Sequence, residues 1–136
     1  MTFRRVNPDE LGTPSGWNNG MVAAAEGRVL FVAGQDAANA EGEVLTDDFV
    51  EQFDIALRKT LAVVRAAGGD AESVGRMTVF VTDMATYLSA RSELGAVWRA
   101  HMDKHFPAMA LMEVSRLVDV RAKVEIEATA VLVDSE

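Results

Sequence analysis

The long segment from Lys123 to Val133 at first alternates strictly between polar and apolar side chains, and it ends in a run of apolar residues. Such alternation is typical of a β-strand, because successive side chains of a strand point to opposite faces of the sheet. One face of this predicted strand is wholly apolar and the other is mixed. The apolar face carries Val124, Ile126, Ala128, Ala130 and Leu132, and the mixed face carries Glu125, Glu127, Thr129, Val131 and Val133. Helices must therefore cover the first face, and the second predicts contact with another subunit.

Two segments are predicted to form those helices. The first begins after Asp48, a good N-cap residue, with Glu51 at the spacing of a capping box, and ends at Gly68-Gly69. The second is predicted over residues 86–104, with Pro107 beyond its end. In both, apolar residues recur at three- and four-residue steps. The stripes are Phe49, Phe53, Ala56, Leu57, Leu61 and Val64 in the first helix, and Tyr87, Ala90, Leu94, Val97, Trp98 and Met102 in the second.

The other predicted elements are strands and one irregular lead-in. Residues 8–20 contain two of the three prolines and read as irregular. The apolar runs 21–25 and 29–33 flank Glu26-Gly27-Arg28 and are predicted to pair as a hairpin. Further strands are predicted at residues 76–81 and 110–114. The order ββ-α-β-α-ββ predicts a two-layer α+β fold, with a sheet backed by two helices on one face.

Composition narrows the class of protein. A length of 136 residues predicts one domain over residues 1–136. The formal net charge of −8 disfavours a general nucleic-acid binder, and the absence of Cys excludes thiol chemistry and Cys-ligated metals. The sequence contains no apolar run of 18 residues, so no membrane span is predicted. The segment Met1–Pro8 lacks the apolar core of a signal peptide. A cytoplasmic protein is the resulting expectation.

Few residues form a recognisable catalytic pattern. His101 and His105 lie four residues apart, but no Glu follows the first His as in a metalloprotease helix, so no metal site is predicted. The alternative is that both complement the dipole at the end of the second predicted helix. Glu125 and Glu127 share the mixed strand face, and contact with a neighbouring subunit there would raise a carboxyl pKa and suit it to proton transfer with water. The alternative is that both are solvated strand residues or pair with Arg.

Several segments together resemble a known family. They are Val32-Ala33-Gly34-Gln35, the helix from Gln52 to Ala67 before Gly68, Met77–Asp83, Phe106-Pro107-Ala108 and Val124–Ala128. In this order they resemble the Rid superfamily, also called YjgF or, in an older name, endoribonuclease L-PSP. The resemblance covers residues 16–133.

The resemblance implies a chorismate mutase-like fold, a homotrimer and a small-molecule ligand in clefts between subunits. It also implies hydrolysis of reactive enamines or imines without metal or cofactor. Nucleic acid and membrane are not expected partners.

The resemblance also implies roles for individual residues. Glu125 matches the glutamate that activates the attacking water. Ala33 and Gly34 match the backbone turn that lines the cleft, and Leu111 matches a lining position whose backbone contacts the ligand. Trp17 stands where a Tyr is usual. Arg91 stands where an Asn is usual.

Met109 departs from the family pattern. In deaminating relatives the motif is Phe-Pro-Ala-Arg, whose Arg grips the substrate carboxylate through bidentate hydrogen bonds. A thioether cannot do this, so small 2-imino acids are poor substrate candidates, and Arg91 or Arg116 is a candidate replacement cation. The main hypothesis is an imine or enamine deaminase. The alternative is a non-catalytic trimer that binds a small metabolite, and an endoribonuclease is the least favoured.

Overall fold

The computed structural model describes residues 2–134 and contains two sheets and three α-helices. Met1, Ser135 and Glu136, which belong to the predicted domain, lie outside the described residues. The strands are β1 (Phe3–Val6), β2 (Gly20–Ala23), β3 (Arg28–Gln35), β4 (Val74–Val81), β5 (Ala108–Glu113) and β6 (Val124–Leu132). The helices are α1 (Phe49–Ala66), α2 (Met84–Ser89) and α3 (Arg91–Met102), with short 3₁₀ turns at Asp9–Leu11 and Ala71–Ser73. Within residues 2–134 no helix is both long and apolar enough to cross a membrane.

The main sheet is mixed, in the order β3-β6-β4-β5. Strand β6 lies antiparallel between β3 and β4, and β5 runs parallel to β4. Helix α1 packs on β3 and β6, and α3 packs against α1. The predicted apolar face of β6 is buried in the core that these elements share. The mixed α+β class is therefore confirmed, whereas the chorismate mutase-like layering and the trimer stay predictions.

Helix α1 follows its sequence signals closely. The Asp48 carboxylate accepts a hydrogen bond from the Glu51 backbone N–H at 2.9 Å, as an N-cap does. Gly68 has φ +96°, the left-handed conformation that ends helices. The Glu51 side chain does not complete the capping box, because its carboxylate accepts instead from the Thr46 hydroxyl at 3.0 Å. All six residues of the predicted stripe are buried.

The prediction of one continuous second helix is wrong. The chain forms two helices that meet at Ala90, whose N–H is shared between the carbonyls of Thr86 and Tyr87. The Ser89 hydroxyl also donates to the Thr86 carbonyl, a local side-chain bond that competes with regular helix. Helix α3 ends at Met102, because Asp103 turns left-handed with φ 53°. His105 therefore lies beyond the helix.

The predicted hairpin is also wrong. Strand β2 pairs with β1, a strand that the sequence pattern did not reveal, and β3 pairs with β6 in the other sheet. A turn does form, since Gly27 N–H donates to the Ala24 carbonyl at 3.1 Å. However, Val131 of β6 packs so closely on Gly27 that a Cβ there would lie 2.2 Å from it. Strand β3 forms its backbone hydrogen bonds with β6 rather than with β2, so the turn joins strands of two different sheets.

A buried glutamine positions the start of β6. Gln52 is fully buried on α1, and its Nε2 donates to the carbonyls of Thr46 and Arg121 at 2.8 and 3.1 Å. Its Oε1 accepts from the backbone N–H of Lys123 at 2.8 Å. Because buried polar groups must be paired, this amide fixes α1 against the residue just before β6. The position of Glu125, two residues further on, depends on that contact.

Candidate functional site

Glu125 lies over a β-bulge in the neighbouring strand. Two β3 residues, Ala33 and Gly34, stand opposite one β6 residue, Glu127, so the ladder is interrupted there. The Glu125 side chain fills the space above Gly34. A Cβ added at Gly34 would lie 2.5 Å from Glu125 Oε2 and 2.9 Å from its carboxyl carbon. Only glycine at position 34 lets the carboxylate occupy this place undisturbed.

The surroundings of Glu125 favour its neutral form. Burial raises the pKa of the Glu125 carboxyl above its ordinary value of 4.5, and the negative charges of Asp36 and Glu127 raise this pKa further. Glu127, on the same strand face, is exposed. Asp36 is held close by the loop after β3, where its carboxylate lies 3.7 Å from Lys59 Nζ. A half-buried carboxyl with a raised pKa is the type of group that takes up and returns protons in acid–base catalysis.

A second group of predicted site residues lines a cavity on the other side of the sheet. The cavity has a volume of about 240 Å³, and its lining includes Arg91, Met109 and Leu111. Met109 and Leu111 are partly buried residues that pack against the core. Trp98 and Phe106 form one wall, stacked with ring centroids 5.9 Å apart and planes within 4°. The cavity is therefore mainly apolar.

Within one chain, Glu125 does not lie near the cavity residues Met109 and Leu111. Met109 and Leu111 pair with Met77 and Val79, which are fully buried on the helix side of the sheet. Glu125 follows the buried Val124 on β6 and therefore points to the opposite face. The carboxylate of Glu125 and the side chain of Met109 lie on different faces of one sheet.

Trp17 lies beside the cavity rather than inside it. Its side chain is 44% exposed and lines a separate cleft with Lys104 and Phe106. Its neighbour Gly16 lines both spaces. The next residue, Asn18, donates through its backbone N–H to the Pro107 carbonyl at 3.1 Å, so the Trp17 segment is tied to the start of β5.

Two cavity residues were not singled out by the sequence pattern. Arg99 and Gly95 of α3 line the cavity with Arg91, and the three are spaced four residues apart. That spacing places residues on neighbouring turns of one helix side, a signal present in the sequence. A glycine in the interior of a helix is a second signal, because it is unfavourable there without a local reason.

The structure distinguishes Arg91 from Arg116, the two candidate cations for binding a carboxylate. Arg91 lines the cavity beside Met109. Arg116 donates to the carbonyls of Leu117 and Val118 in its own loop, both at 3.1 Å, and lines a different cleft. Arg91, and not Arg116, therefore shares a cavity with Met109.

Both histidines have partners inside the chain. His101 Nε2 is hydrogen-bonded to Asp54 Oδ1, which joins α3 to α1. His105 Nε2 donates to the Val74 carbonyl at 2.7 Å, and its ring stacks on Phe3. Among residues 2–134 no group of three or more His, Cys, Asp or Glu side chains is placed to hold a metal ion.

Comparison with known proteins identifies the family. Residues 10–132 match the model of the family described as endoribonuclease L-PSP. The chain belongs to this family, which is also called Rid. A Rid-family protein of Yersinia pestis, YyfB, whose function is described as unknown, has a similar structure with a TM-score of 0.81 and 30% identity. The match covers 97% of this chain and all of that one.

Two further Rid relatives have a substrate or a ligand stated in their descriptions. The 2-iminobutanoate/2-iminopropanoate deaminase of Escherichia coli K12 is 33% identical over 106 residues, or 77% of this chain and 80% of that protein. The structure of E. coli TdcF with bound serine matches with a TM-score of 0.68 and 27% identity, over 90% of this chain and 92% of that one. The name of the first relative describes an enzyme that acts on imines, and the second structure contains a bound amino acid.

Proposed function

We propose that this Rid protein is a reactive intermediate deaminase, which hydrolyses an imine or enamine to a carbonyl compound and ammonia. The observation that carries the proposal is the Glu125 carboxyl over Gly34, with a pKa raised by burial, Asp36 and Glu127. Membership of the family and the E. coli deaminase relative support it.

The chemistry requires one group that takes and returns protons. Glu125 removes a proton from water as the water oxygen attacks the imine carbon, the electron pair of the C=N bond moves to nitrogen, and Glu125 passes the proton on to that nitrogen. In the resulting carbinolamine Glu125 takes the hydroxyl proton as C=O forms and the C–N bond breaks, and it gives this proton to the departing amino group, which leaves as ammonia. An enamine first gains a proton at carbon and loses one from nitrogen, which converts it to the imine. Water and the carboxylate suffice, with no cofactor or metal.

We further propose that the site forms between subunits of a homotrimer. The placement of Glu125 and Met109 on opposite sheet faces supports this, because a neighbouring chain can bring the missing half. Apolar residues on the Glu125 face support it as well. Phe31 and Val29 of β3 are 80% and 57% exposed, which is unusual for strand side chains of this size. An interface there would cover them.

A non-catalytic trimer that binds a metabolite is the second candidate. Met109 favours this candidate, because a thioether cannot bind a carboxylate as the arginine that the family resemblance implies at this position would. Ribonuclease activity is not proposed, because a chain with a formal net charge of −8 repels the RNA backbone.

The pH dependence of imine hydrolysis tests the role of Glu125. As a base, the carboxyl must be ionised, so kcat/KM falls as pH drops through its pKa. We expect the acid limb to lie above the range of an ordinary carboxyl. Asp36→Asn and Glu127→Gln each remove a negative charge that raises the Glu125 pKa, so each should move the acid limb to lower pH.

The measurement is ammonia release across pH from imines made in situ by an amino-acid oxidase. Asp103→Asn removes an exposed carboxylate on the helix side and serves as control; it should leave the profile unmoved. Unchanged acid limbs in both test variants would contradict the assignment of Glu125 as the base.

A further inference from the structure

We propose that the cavity beside Met109 binds a bulky apolar carboxylate, with the apolar group inside and the carboxylate held at the mouth by Arg91 and Arg99. In the deaminase this defines the substrate class as imines of 2-amino acids with aromatic or large aliphatic side chains. That extension to substrates rests on the proposed function, whereas binding in the cavity does not.

The inside of the cavity fits an apolar group. Its volume of about 240 Å³ exceeds the roughly 150 Å³ that accommodates a benzene molecule in a protein core. Leu94, Trp98 and Phe106 provide apolar and aromatic walls. Trp98 is held in place by its Nε1–H, which donates to the His105 carbonyl at 3.1 Å. The wall is therefore formed before a ligand arrives.

The mouth of the cavity carries two available cations. Within residues 2–134 Arg99 makes neither an ion pair nor a side-chain hydrogen bond, and Arg91 makes only a long bond of 3.3 Å to the Leu88 carbonyl. Eight residues of helix separate them, or about 12 Å along the axis. Unpaired guanidinium groups beside an apolar cavity in an acidic chain favour a carboxylate ligand, because Arg binds carboxylates through two parallel hydrogen bonds.

Gly95 lies between the two arginines on α3. Its backbone is helical, and a Cβ there would meet only Arg99 Nη1, at 3.4 Å, which is ordinary contact. Neither a turn nor close packing therefore requires glycine, although glycine is unfavourable within a helix. Its absent side chain leaves the mouth open.

Binding of matched probes tests the inference apart from catalysis. We would measure 3-phenylpropionate, its neutral amide and propionate by calorimetry. We expect 3-phenylpropionate to bind at least about tenfold more tightly than the amide, which lacks the charge, and than propionate, which lacks the ring. In Arg91→Gln/Arg99→Gln the acid and the amide should bind equally. Arg58→Gln on α1, whose side chain does not line the cavity, is the control and should keep the preference for the acid.

Gly95→Leu is a second test variant, in which a loss of binding can be distinguished from a loss of folding. It should raise the melting temperature, because Leu favours helix, and abolish binding of 3-phenylpropionate, because the side chain fills the mouth. Equal affinity for propionate and 3-phenylpropionate would overturn the inference, as would an acid preference that survives loss of both arginines. Tight binding without imine hydrolysis would contradict only the proposed function. Hydrolysis that is equally fast for small and bulky imino acids would contradict only the substrate class.

Discussion

Glu125→Gln is expected to lower kcat/KM for imine hydrolysis by about 10²–10⁴-fold, the usual contribution of a positioned general base. Gln keeps the size and the position over Gly34 but cannot take a proton from water. The measurement is ammonia release from in situ imines at neutral pH. Glu127→Gln is the matched control on the same strand face, and it should retain activity because Glu127 is exposed and acts only through its charge on Glu125.

The same substitution has a stability signature. Because the folded state raises the pKa of Glu125, its ionised form opposes folding at neutral pH, and this cost vanishes below the ordinary value of 4.5, where the carboxyl is neutral in both states. Glu125→Gln should therefore melt at or above the wild-type temperature at pH 7, with the difference shrinking at pH 4. A folded Glu125→Gln protein with wild-type activity would exclude Glu125 as the base.

Met109→Arg is expected to raise kcat/KM for the small substrate 2-iminopropionate by about ten- to a hundredfold. A charge-assisted bidentate contact contributes roughly 1.5–3 kcal/mol, all of it realised if the introduced guanidinium reaches the carboxylate in the transition state. The wild type should be slow, because Arg91 and Arg99 lie at the mouth and a methyl group does not fill the apolar cavity. The double variant Met109→Arg/Glu125→Gln should be slow again, which would show that the carboxylate-binding group and the general base act in one site.

Two outcomes would contradict this expectation. A wild type as fast as the Met109→Arg variant on 2-iminopropionate would mean that another cation already binds small carboxylates, with Arg91 the best placed. A Met109→Arg variant that stays inert while it melts normally and keeps its oligomeric state would favour the metabolite-binding protein over the deaminase.

The sequence predicted those parts of the fold whose signals are local and strong. Helix α1 carries an N-cap at Asp48, a terminating Gly68 and an uninterrupted apolar stripe, and all three act as predicted. The alternation of β6 likewise predicted its buried face. Both patterns repeat over many residues, so tertiary contacts reinforce them rather than override them.

The features that were missed depend on contacts distant in sequence. The turn at Gly27 has the composition of a hairpin, but β3 pairs with β6, whose Val131 packs on Gly27 from more than a hundred residues away. Strand β1 is only four residues long, too short for periodicity to reveal. The buried amide of Gln52 has no local signal, because its partners are backbone groups of two loops.

The sequence predicted which residues belong to the site but not how they are arranged, and their roles stay predictions. Arg91, Met109 and Leu111 line one cavity, whereas Glu125 lies over Gly34 on the other face of the sheet. Their separation onto two faces follows from the strand registers, which a single sequence does not specify. Arg99 and Gly95 join the site only because α3 packs against α1 and lines one cavity with β5.

Activity of mixed trimers tests most directly the claim that Glu125 of one chain acts on a ligand in the cavity of its neighbour. Glu125→Gln and Gly95→Leu chains, each inactive alone, are co-refolded in equal amounts and the trimer is confirmed by light scattering. In random trimers about a quarter of the interfaces combine an intact Glu125 with an open cavity, so activity should recover to about a quarter of the wild-type value. A mixture no more active than its parents, or a monomeric mass at micromolar concentration, would contradict the shared site.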